Sequence, residues 1–562
     1  MAPAESETIA AMLAARADDD HPGLRTADRV WTWAAVVAAG RARASLLAET
    51  RVDGPWHVGV LLANVPEHAL WLGAAAMAGA VVVGANPTHR GPDLARDLLH
   101  TETQLLVTDR AGLALVDGLD LGPRIGRASA SNQRVILVDD PAYVADIEGR
   151  AGTNAYGHST AGTASVEPDD LGCLIFTSGT SGAPKACRCT QGRLARIGAI
   201  VAQMFELGPE DVCFVAMPLF HSNALMAGWA PALAAGAAVA LPTGGRFSAT
   251  GFLPDVRRHG VTYFNYVGKP LSYILATPEQ PDDADNPLVR VFGNEGSEAD
   301  VARFSRRFGC IVVDSYGSTE GGATVQRTAD TPSGALGRAP EGTMVVNLET
   351  GLECPPARFD AHRRLINAEE AIGELVSAGG AAGFEGYWRN DEAERVRLRN
   401  GWYWTGDLAY RDVDGFFYFA GRADDWLRVD GENFAAAPVA RILERHPDVV
   451  LSAVYAVPDA SVGDQVMAAL QLRPGANFDP EEFARFLSDQ PDLGTKWTPR
   501  FVRVSEGLPV TATAKVLVRT LRAERWNCAD PVWWRPGRDP HAGFGPLDPD
   551  EAARLEDAVA RR

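Results

Sequence analysis

The chain has 562 residues, more than one hydrophobic core supports, so its length predicts at least two domains. Hydrophobic residues make up 46% of it, which indicates a globular protein rather than a disordered one. The formal net charge of −19 argues against nucleic acid and anionic membrane surfaces as partners, because both are bound by clustered lysine and arginine. Seven scattered cysteines fit a reducing cytoplasm better than a disulfide framework.

Alternating helix-like and strand-like segments run from about residue 25 to residue 420 and predict α/β layers with largely parallel sheets. Residues 1–20 lack the features of a signal peptide. Two apolar stretches, residues 68–85 and 224–241, approach the length of a membrane span, but Gly79 and Gly236 interrupt them. Each stretch therefore predicts a buried helix, a turn and a strand. Peripheral association with a membrane stays open.

A hydroxyl- and glycine-rich loop follows the apolar segment 173–176 and ends on Lys185. Glycines let successive backbone N–H groups turn toward one anion, hydroxyls add donors, and the lysine adds a positive charge. The spacing is not that of a Walker P-loop. The alternative is a flexible surface loop. The residues expected to bind a polyphosphate are Thr177, Ser178, Gly179, Thr180, Ser181, Gly182 and Lys185.

Further motifs follow in a fixed order. Tyr-Gly-Ser-Thr-Glu at 316–320 follows the strand-like segment 311–313, and Trp-Thr-Gly-Asp at 404–407 precedes Gly-Arg-Ala-Asp-Asp at 421–425. A last motif, 509–515, ends on Lys515. Together these segments resemble the adenylate-forming superfamily of acyl-CoA synthetases, luciferases and peptide-synthetase adenylation domains, from about residue 25 to residue 535. Segments 264–268, 426–433 and 530–534 resemble its FadD-type and fatty-acid-transport or very-long-chain acyl-CoA synthetase branch.

The resemblance implies a domain organisation. A large α/β AMP-binding domain would span residues 1–420, a hinge 421–425 with Asp424 as its pivot, and a small mobile α+β domain 426–535. The composition of residues 536–562 predicts a surface tail with a short charged helix from Asp548 onward.

The resemblance also implies an ATP site. Glu320, with Thr180, would bind Mg²⁺, and a carboxylate suits that ion because Mg²⁺ takes few protein carboxylates and completes its shell with waters and substrate. Thr319 would donate to the α-phosphate. Within the same site, Tyr316 and Gly317 would lie against adenine, and Gly293, Asn294 and Glu295 would meet its edge. Asp407 would bind the ribose, and Arg422 would assist at the ribose or the phosphate.

The acyl and CoA sites follow from the same resemblance. Lys515 would bridge the substrate carboxylate and the α-phosphate, where negative charge accumulates. His221 would lie beside the acyl carboxylate, the alternative being a hydrogen-bonded core histidine. CoA would pass over the surface around Gly431. The residues expected to line the acyl tunnel are Phe264, Tyr266, Val267 and Gly268, whose apolar character favours an aliphatic or steroidal acid over an amino acid.

Two positions depart from the family pattern. Ala514 stands where glycine is usual, and Pro-Val-Ala at 438–440 replaces Glu-Val-Glu, which bears on the CoA step. We expect an ATP- and Mg²⁺-dependent acyl-CoA synthetase that forms an acyl-AMP intermediate, a monomer or homodimer in the cytoplasm. Two alternatives stay open. One is a FadD-like enzyme that activates nitrite or passes acyl-AMP to a carrier protein. The other is a non-catalytic nucleotide- or acyl-binding homologue.

Overall fold

A computed structural model provides the architecture of the chain. The residues that it describes are 7–152, 165–177, 184–328, 330–361, 365–422, 426–429, 432–459, 463–494, 496–511, 515–536 and 542–560. They form an α/β protein with a large N-terminal part and a smaller C-terminal part, which confirms the predicted fold class.

The strands of the described residues belong to four sheets. In chain order they are β1 (Pro22–Arg25), β2 (Val30–Thr32), β3 (His57–Leu61), β4 (Val81–Gly84), β5 (Leu105–Thr108), β6 (Val135–Leu137), β7 (Leu171–Thr177), β8 (Lys185–Thr190), β9 (Val212–Phe214), β10 (Ala238–Ala240), β11 (Tyr263–Val267), β12 (Arg290–Asn294), β13 (Ile311–Asp314), β14 (Thr343–Val346), β15 (Gly373–Ser377), β16 (Leu398–Arg399), β17 (Trp402–Arg411), β18 (Phe417–Arg422), β19 (Trp426–Val429), β20 (Glu432–Ala435), β21 (Val449–Asp459), β22 (Gly463–Leu472), β23 (Phe501–Ser505), β24 (Val532–Trp534) and β25 (Gly545–Pro546).

Helices connect and cover these strands. They are α1 (Ile9–Ala14), α2 (Trp33–Glu49), α3 (Pro66–Ala78), α4 (Pro92–His100), α5 (Arg110–Val116), α6 (Pro141–Gly152), α7 (Gln191–Met204), α8 (Ser222–Ala224), α9 (Ala230–Ala235), α10 (Phe252–His259), α11 (Pro270–Leu275), α12 (Glu298–Phe308), α13 (Ala368–Ala371), α14 (Asp391–Arg397), α15 (Ala436–Leu443), α16 (Pro480–Ser488), α17 (Val518–Glu524) and α18 (Pro549–Ala560). A π-helical turn, Leu225–Trp229, joins α8 to α9.

Two sheets of the N-terminal part are largely parallel. The first has the order β13-β12-β11-β9-β10-β1-β2, and its antiparallel pair is β1–β2. The second has the order β6-β5-β3-β4-β7-β8, and its antiparallel pair is β7–β8. The carboxyl ends of β9, β11, β12 and β13 therefore open on one edge of the first sheet, which is where open α/β sheets bind ligands.

The other two sheets are mostly antiparallel. The third has the order β14-β15-β17-β16, with β18 beside β17, and the alternating pattern of the sequence did not reveal it. The fourth, in the C-terminal part, has the order β20-β19-β22-β23-β24-β25, with β21 beside β22 and one parallel pair, β22–β23.

The two apolar stretches of membrane-span length fold as the sequence predicts. Helix α3 ends at Gly79, whose φ of 75° terminates it before strand β4, and α9 ends at Gly236, whose φ is 74°, before β10. Glycine adopts this left-handed conformation without steric cost, which is why it ends helices so often. Among the described residues, no helix is long and apolar enough to cross a membrane.

The final segments pack against the C-terminal sheet. Phe544 is buried, and Leu547, Ala552 and Leu555 contact an apolar cluster built on β21 and β22. The predicted charged helix is present as α18. However, residues 544–560 do not form a simple surface tail. Apolar side chains lie among their prolines, glycines and acidic residues, and these side chains pack against the C-terminal sheet.

Candidate active site

The ends of the phosphate loop are brought together by a strand pair. Thr177 at the end of β7 is the register partner of Lys185 at the start of β8. Residues 178–183 lie outside the described residues, so the positions of Ser178, Gly179, Thr180, Ser181 and Gly182 stay predictions.

Tyr316 and Asp407 meet although 91 residues separate them. The Tyr316 hydroxyl donates to Asp407 Oδ2 at 2.6 Å, so the residues expected at adenine and at ribose are neighbours. Arg422 is the register partner of Asp407 across β17 and β18, which places the two backbones side by side. The Thr405 hydroxyl accepts from the Asp407 N–H at 3.0 Å within strand β17 and fixes the local backbone that carries the carboxylate.

The turn that carries Thr319 and Glu320 is held from several sides. The Thr319 hydroxyl lies 2.7 Å from that of Ser222, and the Thr319 carbonyl accepts from the buried Arg193 guanidinium at 2.6 Å. Glu320 is buried, and its Oε1 accepts from the Tyr387 hydroxyl at 2.8 Å. A Cβ on nearby Gly317 would meet no atom within 4 Å, so the backbone is open to a ligand there.

The acidic residues of this site fit Mg²⁺. Within the part of the chain that the structure describes, no group of three or more His, Cys, Asp or Glu side chains forms a metal cluster. The carboxylate that the sequence predicts as a Mg²⁺ ligand, that of Glu320, is buried beside Tyr387, and its role at the phosphates stays a prediction. This donor set suits Mg²⁺ that arrives with a nucleotide, since phosphate oxygens and waters complete its octahedron.

Lys515 of the C-terminal part reaches the first sheet. Its Nζ lies 2.5 Å from Oε1 of Glu295, in the turn between β12 and α12. His221 lies close enough to both residues for their charges to affect its pKa. Burial, with a further contribution from the Lys515 charge, lowers the pKa of His221 to about 4, so the imidazole is neutral at physiological pH. Its Nδ1 accepts from the Asn223 N–H at 3.2 Å, which leaves the proton on Nε2.

Asn294 and Gly293 connect this turn to neighbouring strands. The Asn294 side-chain amide donates to the Ser315 carbonyl at 2.7 Å, and the Asn294 carbonyl accepts from the Gly268 N–H at 3.0 Å. A Cβ on Gly293 would lie 2.2 Å from the Tyr266 ring, so glycine is required by packing. The role of Gly293 and Asn294 at adenine stays a prediction.

The four residues predicted to line the acyl tunnel lie on β11 and directly after it, and their role at the tunnel stays a prediction. Phe264 is fully buried between the first sheet and its helices, with ring centroids of Phe252 and Phe214 at 5.0 and 6.0 Å, so it belongs to the core. Successive strand residues point to opposite faces, so Tyr266, two positions after Phe264, shares the face of Phe264. Val267 and Gly268 lie at the carboxyl end of the β11 segment, and the Tyr266 hydroxyl reaches the same edge through Asp314; Gly268 has a φ of 78°.

Asp314 is a residue of this edge that sequence reasoning missed. Its Oδ2 accepts from the Tyr266 hydroxyl at 2.6 Å and from the Gly296 N–H at 2.8 Å. Burial raises its pKa to about 7. The sequence signal for this residue was available: the aspartate directly follows three β-branched residues and stands two positions before Tyr316. Ser222, Arg193 and Tyr387 were also missed, and no pattern marks them.

Comparison with known proteins identifies the family of the chain. The family described as AMP-binding enzyme matches residues 13–388, and the AMP-binding enzyme C-terminal domain matches residues 439–515. The chain belongs to the AMP-binding enzyme family. The C-terminal match ends on Lys515, the residue that contacts Glu295.

Two curated members of this family are similar over nearly the whole chain. Steroid-22-oyl-CoA synthetase of Rhodococcus jostii is 53% identical over 535 residues, 95% of this chain and 94% of that protein. The medium/long-chain-fatty-acid–CoA ligase FadD17 of Mycobacterium tuberculosis is 48% identical over 528 residues, 94% of this chain and 98% of that protein.

Solved structures support the fold. ATP-bound MatB from Rhodopseudomonas palustris superposes with a TM-score of 0.75 at 23% identity, over 92% of this chain and 98% of that one. The anthranilate CoA ligase AuaEII in complex with anthranoyl-AMP gives a TM-score of 0.77 at 21% identity, over 92% and 97%. Asp424, Gly431 and Ala514 lie outside the described residues, so the hinge and the CoA surface stay predictions.

Proposed function

We propose that this chain is an ATP-dependent, AMP-forming acyl-CoA synthetase for a hydrophobic carboxylic acid. The observation that carries the proposal is the position of Lys515. A C-terminal motif lysine lies at the same sheet edge as His221, close to the turn of Thr319 and Glu320. Such a cation stabilises the negative charge that develops where a carboxylate attacks the α-phosphorus of ATP.

The chemistry proceeds in two steps. First, a carboxylate oxygen of the acid bonds to the α-phosphorus, and the bond from that phosphorus to pyrophosphate breaks. Lys515 and Thr319 stabilise the charge that accumulates on the α-phosphate, while Glu320 would hold Mg²⁺, which neutralises phosphate charge. Second, the CoA thiol loses its proton to solvent and attacks the acyl carbon, and AMP leaves.

Neutral His221 suits the acyl side of this site. Its Nε2–H can donate to the carboxylate of the bound acid without adding a second positive charge beside Lys515. Asp407 and Tyr316, joined by their hydrogen bond, would hold the ribose and the adenine ring. The phosphate loop between Thr177 and Lys185 would hold the triphosphate.

The acid is proposed to be a steroid side-chain acid or a medium- to long-chain fatty acid. Both named relatives act on large apolar acids by their names, and each matches more than nine-tenths of the chain. The higher identity, 53%, favours the steroid class.

Location and domain motion belong to the same proposal. A cytoplasmic location suits the cysteines, which are free. The pivot at Asp424 would let the C-terminal part withdraw Lys515 before the CoA step.

A panel assay tests the proposed function. Pyrophosphate release is measured with C22 steroid acids, with fatty acids of graded length and with nitrite, each in the presence and absence of CoA. We expect release with a hydrophobic acid, and a thioester product only when CoA is present. Turnover with nitrite alone, or acyl-AMP that CoA never discharges, would refute the proposed acceptor.

A further inference from the structure

Glu295 contacts Lys515 across the two parts of the chain. We propose that Glu295 is a positioning residue for adenylation, which holds the Lys515 ammonium where the acid and the α-phosphate meet. The inference rests on the function proposed for Lys515. It also differs from the expectation that Glu295 serves adenine.

The backbone of Glu295 is held in an unusual conformation. Its φ is 71°, in the left-handed region that residues other than glycine seldom adopt. Such conformations persist where the surroundings enforce them, often at functional sites. Here the Asn294 amide donates to the Ser315 carbonyl, and the Gly296 N–H donates to Asp314 at 2.8 Å. Both flanking residues are thus tied to the β13 segment, which fixes the direction of the Glu295 side chain.

The backbone of Lys515 is fixed as well. Its carbonyl accepts from the Thr511 N–H at 2.8 Å, and its N–H donates to the Thr511 hydroxyl at 3.1 Å. The Leu517 N–H donates to the Pro509 carbonyl at 2.8 Å. These hydrogen bonds do not fix the long Lys515 side chain. Ordering that side chain costs conformational entropy. The ion pair with Glu295 sets that side chain in place before substrates bind.

The ammonium group has enough donors for this role. Lysine offers three N–H donors and no acceptor. One donor serves Glu295, and two are left for the substrate carboxylate and the α-phosphate. His221 does not compete as a second cation, because burial and the Lys515 charge keep it neutral near pH 7.

A second ion pair across the same two parts provides a matched control. Lys269, two residues after β11, lies 2.5 Å from Glu444, directly after α15. Its loss would loosen the contact between the two parts without removing a partner of Lys515. A variant in which Lys269 becomes methionine therefore separates general loosening from the specific action of Glu295.

The first test measures Lys515 itself in the ligand-free protein. Lysines are labelled with acetic anhydride at low salt and quantified by peptide mass spectrometry, with Lys185 and Lys496 as internal references. We expect Glu295→Gln to raise the labelling rate of Lys515 about two- to fivefold, the range for partly exposed ion pairs, and Lys269→Met to leave that rate unchanged. Unchanged Lys515 labelling in Glu295→Gln, or an equal rise in Lys269→Met, would overturn the proposal.

The second test separates the half-reactions. Glu295→Gln should slow pyrophosphate release about two- to fivefold at low salt but not thioester formation from supplied acyl-AMP, and Glu295→Asp should restore part of the rate. In the Lys515→Ala background the substitution should have no further effect. An additive loss there, or equal loss in both half-reactions, would overturn the proposal. If the wild type releases no pyrophosphate with any acid, the proposed function fails, while the labelling result still decides the ion pair.

Discussion

Asp314 makes the stability of the protein depend on pH in a way that can be worked out from its surroundings. The carboxyl is 7% exposed, and its Oδ2 accepts from Tyr266 and from Gly296. Burial raises its pKa from 3.8 to about 7 despite these hydrogen bonds. Between pH 4 and pH 7 the folded protein thus holds a proton that the unfolded chain has released. The contribution of Asp314 to the free energy of unfolding must therefore fall as pH rises through this window, and it becomes constant above about pH 7.

Asp314→Asn removes this penalty. The asparagine carbonyl oxygen can accept both hydrogen bonds, and the side chain stays neutral at every pH. At about 1.4 kcal/mol per pH unit, the carboxylate costs up to about 4 kcal/mol above pH 7, of which about 2 kcal/mol develops between pH 5.5 and pH 8. We expect the variant to gain stability over the wild type by that amount across this interval.

Urea denaturation of both proteins at pH 5.5 and pH 8 measures the effect. Histidines of lowered pKa, such as His221 and His68, act in the opposite direction, but they are present in both proteins and cancel in the difference. A stability difference that is the same at both pH values would refute the reasoning. So would a variant that loses stability relative to the wild type as pH rises.

Three further predictions concern the reaction. Lys515→Ala should slow acyl-AMP formation by ~10²–10³-fold and spare thioester formation from supplied acyl-AMP, measured as separate half-reactions; equal loss in both would contradict its role. Glu320→Gln should weaken pyrophosphate release most at low Mg²⁺ and recover in part as Mg²⁺ is raised, and an unchanged Mg²⁺ titration would count against Glu320 as a ligand. Asp424→Pro, if its melting curve shows a folded protein, should form acyl-AMP but lose CoA-dependent turnover, because proline fixes φ near −65°. Both half-reactions intact would place the pivot elsewhere.

Local signals in the sequence predicted most of the fold. Gly79 and Gly236 mark helix ends because their left-handed conformations favour glycine, and the apolar segments after them become strands β4 and β10. The antiparallel sheet of β14–β18 was not predicted, because its strands pair across long intervals that no local pattern records. Apolar residues of the last segment, such as Phe544, were hidden among turn-forming residues.

The residues of the candidate site could be predicted from the sequence where they lie in contiguous motifs. The motifs of Tyr316 and Asp407, and those of Lys515 and Glu295, were identified separately, but the sequence does not state that these side chains touch. Phe264 packs against Phe252 in the core, and aromatic residues suit both an apolar ligand site and a core, so its role at the acyl tunnel stays a prediction.

The most direct test of the account is the product formed by the purified protein from ATP, Mg²⁺, CoA and a C22 steroid acid or a long-chain fatty acid. Mass spectrometry of the quenched reaction should show acyl-AMP when CoA is omitted, and acyl-CoA with AMP and pyrophosphate when CoA is present. The Lys515→Ala variant run in parallel should show neither acyl product above a small fraction of the wild-type amount. ADP and phosphate in place of AMP and pyrophosphate, or no acyl product with any hydrophobic acid, would contradict the account.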